Sequence, residues 1–418
     1  MTAGRALDLL AARDRPLRVG LVGAGAFGSM VLSGAARVRG LDVVGVADLR
    51  PERAAAALEA AGLDPSRALD SAEALLDREP EVVVEATGSV AAALETADRA
   101  LDRGCHVVMA TVEADVVAGP LLAERARSLG LVYSLAYGDQ PALICELVDW
   151  ARAAGFEVVC AGKGTKHLPR FHAVTPDDVW PEYGLTPEQV ERGGFDARMF
   201  TSFLDGTKSA VEMAAVCNAT GLVPQERGLG FPPCAAGDLA RVCVPGGALG
   251  RSGTVEVVSS LDGDGRELAD HLRWGVFVTF TSDDERLADW LRAYGIADGR
   301  YGALWRPFHF IGLETTVSVL SAGLLREPTG APRGFHADVV AVAKRDLAAG
   351  EALDGEGGFT VHGALVPAGA GGLPIGLARD VVLARPVRRG ERVRVEDLEA
   401  PPSGPAAEWR ARLLARLA

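Results

Sequence analysis

A strand that runs straight into three spaced glycines is the feature that most constrains the fold of this chain. The apolar segment Leu17–Val22 is followed at once by Gly23-Ala24-Gly25-Ala26-Phe27-Gly28. In this spacing the first glycine permits a tight turn, the second lets backbone approach a pyrophosphate, and the third lets the next helix pack on the strand. An acidic residue, Asp48, follows the next predicted strand, Leu41–Ala47. The pattern predicts a dinucleotide-binding βαβ unit, and the alternative is a glycine-rich turn that binds nothing.

The rest of the chain predicts an α/β protein of several domains, because 418 residues are too many for one ordinary core. Residues 1–147 alternate apolar strands with helices, which predicts a Rossmann domain with a doubly wound parallel sheet. We expect an α/β catalytic domain at 148–334, whose helix 311–325 returns to the first domain. A small β domain at 335–400 and a linker with a tail helix at 401–418 follow.

Composition narrows the classes of partner. The chain has 43 basic and 56 acidic residues and a net charge of −13, which argues against nucleic acid and anionic membrane as partners. No apolar run approaches the roughly 18–20 residues of a membrane span, and the N-terminus has no signal-type apolar core. Six cysteines without a C-x-x-C pair predict buried free thiols in a reducing compartment. We therefore expect a cytoplasmic protein.

Lysine is rare in this chain, since only four of the 43 basic residues are lysines. Arginine replaces lysine readily as a solvated charge, but it cannot replace a compact ammonium that enters a tight pocket or shares a proton. We therefore expect functional roles for Lys163, Lys166 and Lys208, the alternative being chance survival at the surface. Lys344 is predicted to be a surface residue of the small β domain.

Two of these lysines flank Gly164-Thr165 in a predicted loop after a strand. Together with His167 and Arg170, Lys163 and Lys166 form a basic cluster in an acidic protein. Such a cluster suits an anionic substrate that carries phosphate or carboxylate.

Carboxylates supply the second group of candidates. Lys208 and Glu212 are spaced i,i+4 on one predicted helix that Asp205 precedes, which is typical of a catalytic group, a surface ion pair or a helix cap. Asp139 precedes another helix, and Glu314 follows Arg306 and His309. His309, placed among aromatic residues, is alternatively a core residue. Oxygen ligands for Mg²⁺ or Mn²⁺ are available at Asp139, Asp205, Glu212 and Glu314, but no spacing requires a metal.

Several longer stretches carry a resemblance to a known family from Arg18 to about Glu399. The chain resembles the NAD(P)-dependent oxidoreductases related to homoserine dehydrogenase that carry a C-terminal SAF domain, which include enzymes similar to 1-deoxy-D-xylulose 5-phosphate reductoisomerase. The matching stretches are Val112–Asp115, Tyr137–Pro141, Ala161–Lys166, Ser202–Ala214, Arg306–Glu314 and Ala343–Leu347. One stretch departs from the family, because Ala110-Thr111-Val112-Glu113 stands where homoserine dehydrogenases have Asn-Lys.

This resemblance implies a homo-oligomeric oxidoreductase of the EC 1.1.1 type that acts on a small phosphorylated or acidic carbonyl compound. The implied reaction is hydride transfer, or rearrangement of a ketose phosphate followed by reduction. A dehydrogenase of a small hydroxy or amino acid is the alternative enzyme. A dinucleotide-dependent sensor or sugar-binding protein is the alternative of another class.

The preferred cofactor depends on two opposing features. Asp48 favours NAD by accepting the ribose 2′-OH, whereas Arg50 and Arg53 suit the 2′-phosphate of NADP. The resemblance favours NADP, and NAD stays open. The predicted cofactor-binding residues are Gly23, Gly25, Ala26, Phe27, Gly28, Asp48, Arg50, Thr87, Gly88 and Glu113. The predicted catalytic residues are Lys208, Asp139, Glu212 and Asp205, and the predicted substrate-binding residues are Lys163, Lys166, His167, Arg170, Arg306, His309 and Glu314.

Overall fold

The computed structural model describes residues 3–295, 297–298 and 300–417, which form two compact units. Unit 1 contains the described residues of 1–146, 309–334 and 404–418, and unit 2 contains those of 147–308 and 335–403. Residues 335–403 thus join the same unit as 147–308, whereas the sequence predicted separate domains at 148–334 and 335–400.

The first part of the chain alternates helices with strands. These are α1 (Ala3–Ala11), β1 (Leu17–Val22), α2 (Ala26–Ala35), β2 (Leu41–Ala47), α3 (Pro51–Ala60), β3 (Ala68–Leu69), α4 (Ala72–Leu76), β4 (Val82–Glu85), α5 (Val90–Asp102), β5 (His106–Met109), α6 (Val112–Ser128), β6 (Tyr133–Leu135) and α7 (Gln140–Ala153). The strands form one parallel sheet in the order β3-β2-β1-β4-β5-β6. This order confirms the predicted Rossmann fold, with its change of winding direction between β1 and β4.

Burial on both faces explains why these strands are continuously apolar. In β4, Val83 packs into the core on one face of the sheet, while Val82 and Val84 pack into the core on the other. Side chains of a strand alternate between faces, so a sheet covered by helices on both sides needs apolar residues at every position.

Unit 2 begins with the end of α7 and continues through a mixed sheet. Its next elements are β7 (Glu157–Thr165), α8 (Val179–Tyr183), α9 (Pro187–Gly193), α10 (Ala197–Leu204), α11 (Thr207–Thr220), α12 (Leu239–Val242), β8 (Thr254–Ser259), β9 (Val276–Thr281), α13 (Glu285–Ala293), β10 (Ala297–Asp298) and β11 (Tyr301–Arg306). The strand order is β10-β11-β9-β7-β8, and only the β7–β8 pair is parallel. The polar segment after Lys166 contains α8 and α9, and Thr186 caps α9 with Gln189.

The remaining elements are divided between the two units. They are α14 (Thr316–Leu320), β12 (Ala337–Ala343), β13 (Ala352–Asp354), β14 (Val361–Pro367), β15 (Arg379–Val382) and α15 (Pro405–Leu417). The predicted helix at 311–325 is α-helical only over α14, with a 3₁₀ turn before it and a π turn, Ser321–Leu325, after it. The antiparallel pairs β12–β14 and β13–β15 account for the β-rich pattern of this region. The SAF assignment stays a prediction.

The structure also describes the cysteines and the lengths of the helices. All six cysteines are buried and free, as expected. Among the described residues, no helix is both long enough and apolar enough to span a membrane.

A buried carboxylic acid lies inside unit 1. Asp115 is fully buried in α6, and Oδ1 accepts a hydrogen bond of 2.8 Å from the Tyr133 hydroxyl. Burial raises the pKa of Asp115 from its usual 3.8 to about 7. The folded protein therefore holds a proton that the unfolded chain releases between about pH 4 and pH 7, so this group lowers stability as the pH rises through that window.

Replacing Asp115 with asparagine is expected to remove this pH dependence, because the amide oxygen still accepts from Tyr133 and carries no charge. Relative to the wild type, the variant should gain up to a few kcal/mol of stability between pH 4 and pH 8. Urea denaturation of the variant and the wild type at pH 4 and at pH 8 measures how much the difference in stability grows. The control is Asp70→Asn, at an exposed residue, and an equal pH response in both variants would contradict the assignment.

Candidate active site

The glycine turn after β1 has the geometry that the sequence predicts for a dinucleotide cradle. Gly23 has a φ of +98°, and a Cβ added there would lie 2.4 Å from the carbonyl oxygen of Ala86. A Cβ on Gly28 would lie 2.0 Å from the carbonyl oxygen of Gly23. Gly25 is the N-cap of α2 and makes no side-chain cap, so the first turn of the helix directs its N–H groups towards the cradle. These residues fit a pyrophosphate, with Ala26 and Phe27 in the first turn.

Asp48 and Arg53 border this cradle in different ways. The Asp48 carboxylate accepts hydrogen bonds from the backbone N–H groups of Ala24, at 2.8 Å, and Arg50, at 3.0 Å. The exposed Arg53 reaches over the turn, and its Nη2 lies 3.1 Å from where a Cβ on Gly25 would be. The guanidinium of Arg53 therefore lies over the glycine turn. The Asp48 carboxylate stabilises the turn by accepting from the backbone N–H of Ala24.

The other predicted cofactor residues lie at the carboxyl ends of β4 and β5, beside the change of winding direction. Thr87 donates its backbone N–H to Glu85 at 2.9 Å, and Gly88 donates its own to the Thr111 hydroxyl at 3.1 Å. Glu113 is half-buried in the first turn of α6. Ligands of doubly wound sheets bind at this edge.

Two predicted acids of unit 1 lie on adjoining segments. Asp139 is buried and accepts from the N–H of Gln140 at 2.9 Å, and Glu314 accepts from the N–H of Phe310 at 3.0 Å. A Cβ on Gly138 would lie 2.8 Å from both the Glu314 Cβ and the Phe310 carbonyl oxygen. Only glycine allows this approach, which brings the loop before α7 against the segment before α14.

Lys163 and Glu212 form a buried ion pair in unit 2, with side chains 8% and 4% exposed. Lys163 was predicted on a loop, which is wrong, because it lies within β7. The glycines on either side serve strand packing, since a Cβ on Gly162 would lie 1.8 Å from the carbonyl oxygen of Glu256 in β8. The pair therefore sits on a rigid sheet against α11, where each charge offsets the cost of burying the other.

The prediction that Lys344 is a surface residue is also wrong. Its ammonium is buried at the end of β12, and its Nζ contacts Asp205 Oδ2 at 2.8 Å and the carbonyl oxygens of Val174 and Gly358 at 2.7 Å. Asp205 is fully buried and also accepts from the N–H of Thr207 at 2.9 Å. Three oxygens around one ammonium suit a lysine and not the planar arginine fork. This environment favours a structural role for Asp205.

Three histidines pack beside this pair. The ring centroid of His172 lies 4.7 Å from that of His167 and 4.6 Å from that of His362. Burial, with His172 next to it, lowers the pKa of His167 to about 3, and the same causes lower the pKa of His362 to about 4. Both rings are therefore neutral at pH 7, and His167 adds no charge to the predicted basic cluster.

The expected basic cluster is thus only partly correct. Lys163 is paired with Glu212. The ring of His167 stacks on that of Phe231, with 3.9 Å between the ring centroids. Neither residue is therefore part of a shared cationic surface. Lys166 and Arg170 do converge, since Lys166 donates to the Glu182 carbonyl at 2.6 Å and Arg170 pairs with the Glu182 carboxylate at 2.8 Å.

The remaining predicted residues are more dispersed. Lys208 is half-buried in the first turn of α11, Arg306 ends β11 in unit 2, and His309 begins the returning segment of unit 1. Asp139 and Glu314 belong to one unit, and Asp205 and Glu212 to the other. Among the described residues, no three His, Cys, Asp or Glu side chains are grouped to hold a metal ion.

Two family models match successive parts of the chain. Residues 19–134 match the family model for the NAD-binding domain of homoserine dehydrogenase, and residues 138–315 match the model for the catalytic domain of oxidoreductase DRL. The first match is to an NAD-binding domain, and the second is to the catalytic domain of an oxidoreductase. The chain therefore resembles the homoserine dehydrogenase type in its first part and the DRL type in the part that follows. No curated protein matches the chain.

Solved structures match the chain over part of its length. An inositol dehydrogenase homolog complexed with NAD+ from Azotobacter vinelandii is 24% identical over 39% of this chain and 44% of its own, with a TM-score of 0.30. A 3-ketoreductase from Actinomadura kijaniata in complex with NADP is 23% identical over 36% and 50%, with a TM-score of 0.29. A myo-inositol dehydrogenase from Corynebacterium glutamicum is 20% identical over 38% and 49%, also at 0.29. The chain spans about half the length of these structures.

Proposed function

We propose that this chain transfers hydride between NAD(P)H and a small phosphorylated or acidic carbonyl compound, with Lys163 as the proton donor. The observation that carries the proposal is the buried Lys163–Glu212 ion pair, held on β7 and α11 within the segment that matches an oxidoreductase catalytic domain. A buried ammonium is a suitable acid for an oxygen that gains negative charge as hydride arrives.

The roles of the two residues follow from their chemistry. When bound, a reduced nicotinamide would supply hydride to the carbonyl carbon. Lys163 donates a proton to the carbonyl oxygen, which becomes a hydroxyl, and solvent then reprotonates the lysine. Glu212 holds the ammonium in place through the buried ion pair, which offsets the cost of removing each charge from water.

Turnover assays test this proposal. The intact protein is mixed with NADPH or NADH and a panel of sugar phosphates, 2-oxo acids and aldehydo acids, and loss of nicotinamide absorbance is followed. NMR of the product separates simple reduction from rearrangement followed by reduction, which the resemblance implies. Tight binding of cofactor without turnover of any compound would favour a dinucleotide-dependent sensor instead.

We also propose that NADP is the preferred cofactor, because Arg53 stands over the glycine turn. Replacing Arg53 with alanine is expected to weaken NADPH binding roughly ten- to hundredfold, the value of a charge-assisted contact, with little change for NADH. Fluorescence titration with both cofactors measures this change, and Arg50→Ala tests whether the neighbouring arginine contributes. A wild-type protein that binds NADH ten times more tightly than NADPH would contradict the preference.

A further inference from the structure

An arginine that the sequence analysis did not select lies between two aromatic rings in unit 2. The guanidinium carbon of Arg273 is 4.9 Å from the ring centroid of Tyr183 and 4.8 Å from that of Trp274. Its side chain is only 15% exposed. Rings on a guanidinium hold it by cation–π attraction but occupy its faces, so the N–H groups at its edge stay directed outward.

Those N–H groups have few acceptors. Among the described residues, the side chain of Arg273 makes no hydrogen bond, and its nearest carboxylate oxygen is Glu267 Oε1 at 3.9 Å. That oxygen is closer to Nε2 of His271, at 3.1 Å. An arginine carries five donors, and leaving them unused on a side chain this buried is costly.

Two further cations converge on the same place. Lys166 donates to the carbonyl oxygens of Glu182, at 2.6 Å, and Tyr183, at 3.1 Å, and no carboxylate oxygen of the described residues lies within ion-pair distance of it. Arg170 pairs with the Glu182 carboxylate. Lys166 and Arg273 lie near each other because both contact Tyr183, Lys166 at the carbonyl oxygen and Arg273 at the ring. Burial lowers the pKa of Lys166, and the charge of Arg273 lowers it further.

The backbone of Arg273 packs against β7, the strand that carries the proposed proton donor. Gly164 follows Lys163 in β7, and a Cβ on Gly164 would lie 2.0 Å from the carbonyl oxygen of Leu272 and 3.0 Å from the backbone nitrogen of Arg273. The N–H of Gly164 also donates to the carbonyl of Gly275 at 3.1 Å. Arg273 is therefore anchored against the residue that follows Lys163.

We propose that Arg273, with Lys166 and Arg170, binds the anionic group of the substrate, a phosphate or a carboxylate, through the outward edge of the guanidinium. This inference rests on the proposed function for the identity of the ligand as substrate, but anion binding itself does not require turnover. Arg273 suits either anion, because its paired N–H groups match two oxygens of a phosphate or a carboxylate.

Binding of two simple anions tests the site. Inorganic phosphate and succinate are titrated into the full-length protein by calorimetry, at ionic strength held constant with KCl. We expect at least one of them to bind, phosphate alone indicating a phosphorylated substrate and succinate alone a carboxylated one. Arg273→Gln should weaken that binding roughly ten- to hundredfold. Arg273→Lys should weaken it less, since it keeps the charge and loses the fork.

The matched control is Arg412→Gln, which removes an exposed arginine that also lies over an aromatic ring, Trp409, in unit 1. It should bind the anion as the wild type does. Circular dichroism and NADPH binding confirm that each variant is folded. Absence of anion binding in the wild type, or equal binding by Arg273→Gln, overturns the site even if NADPH-dependent turnover is found. Anion binding without any turnover would instead count against the proposed function alone.

Discussion

Replacing Lys344 with methionine is expected to lower the free energy of unfolding by about 3–5 kcal/mol, because it leaves the fully buried Asp205 carboxylate without its cation. The carbonyl oxygens of Val174 and Gly358 lose their donor as well. Lys344→Arg should also destabilise, since a planar guanidinium does not fit among three oxygens placed around an ammonium. Urea denaturation of the full-length protein measures both variants.

Arg345→Met is the matched control, because the neighbouring residue is also basic and ion-paired, to Glu351, but its side chain is 51% exposed. Its loss should cost less than about 1 kcal/mol. Adding Asp205→Asn to Lys344→Met should recover part of the lost stability, since the double variant has no unpaired buried charge. Equal losses for Lys344→Met and Arg345→Met would show that the buried pair is not important for stability.

The double variant Lys163→Gln with Glu212→Gln is expected to lower turnover about a hundred- to ten-thousandfold, the usual contribution of a general acid. Two amides keep a hydrogen bond between β7 and α11 while removing both charges, so the fold should survive. NADPH affinity should stay unchanged, because the cofactor cradle lies in unit 1 and both residues lie in unit 2. Steady-state kinetics and cofactor titration measure the two effects separately.

Two single variants sharpen this test. Glu212→Gln keeps the Lys163 side chain and should lose less turnover than the double variant. Lys208→Arg examines the lysine that the sequence predicts to be catalytic, half-buried one turn before Glu212. If Lys208→Arg abolishes turnover and the Lys163 double variant retains it, Lys208 is the proton donor and our assignment is wrong.

Local patterns allowed the cofactor-binding half to be predicted from sequence. Gly23 needs a positive φ and Gly28 needs a missing Cβ, and both requirements act within a few residues of one strand and one helix. The apolar strands of the parallel sheet are equally local, because burial on both faces leaves no polar position along them. Such features depend on neighbours in the chain, so the sequence by itself determined them.

The candidate site in unit 2 depended on residues far apart in the chain. Lys163 meets Glu212 and Lys344 meets Asp205 only because β7, α11 and β12 pack together, and charge at a given position does not reveal whether its counter-charge will be buried beside it. The rarity of lysine in the chain could have indicated that Lys344 occupies a tight pocket. Its position next to Arg345 in a β-rich segment led instead to the prediction of a surface residue. No local pattern predicted a role for Arg273. One of the two rings that contact it, Tyr183, lies in α8, far away in the chain, and the other belongs to the neighbouring Trp274. Charge pairing across the chain has no periodicity, and only the tertiary structure decided it.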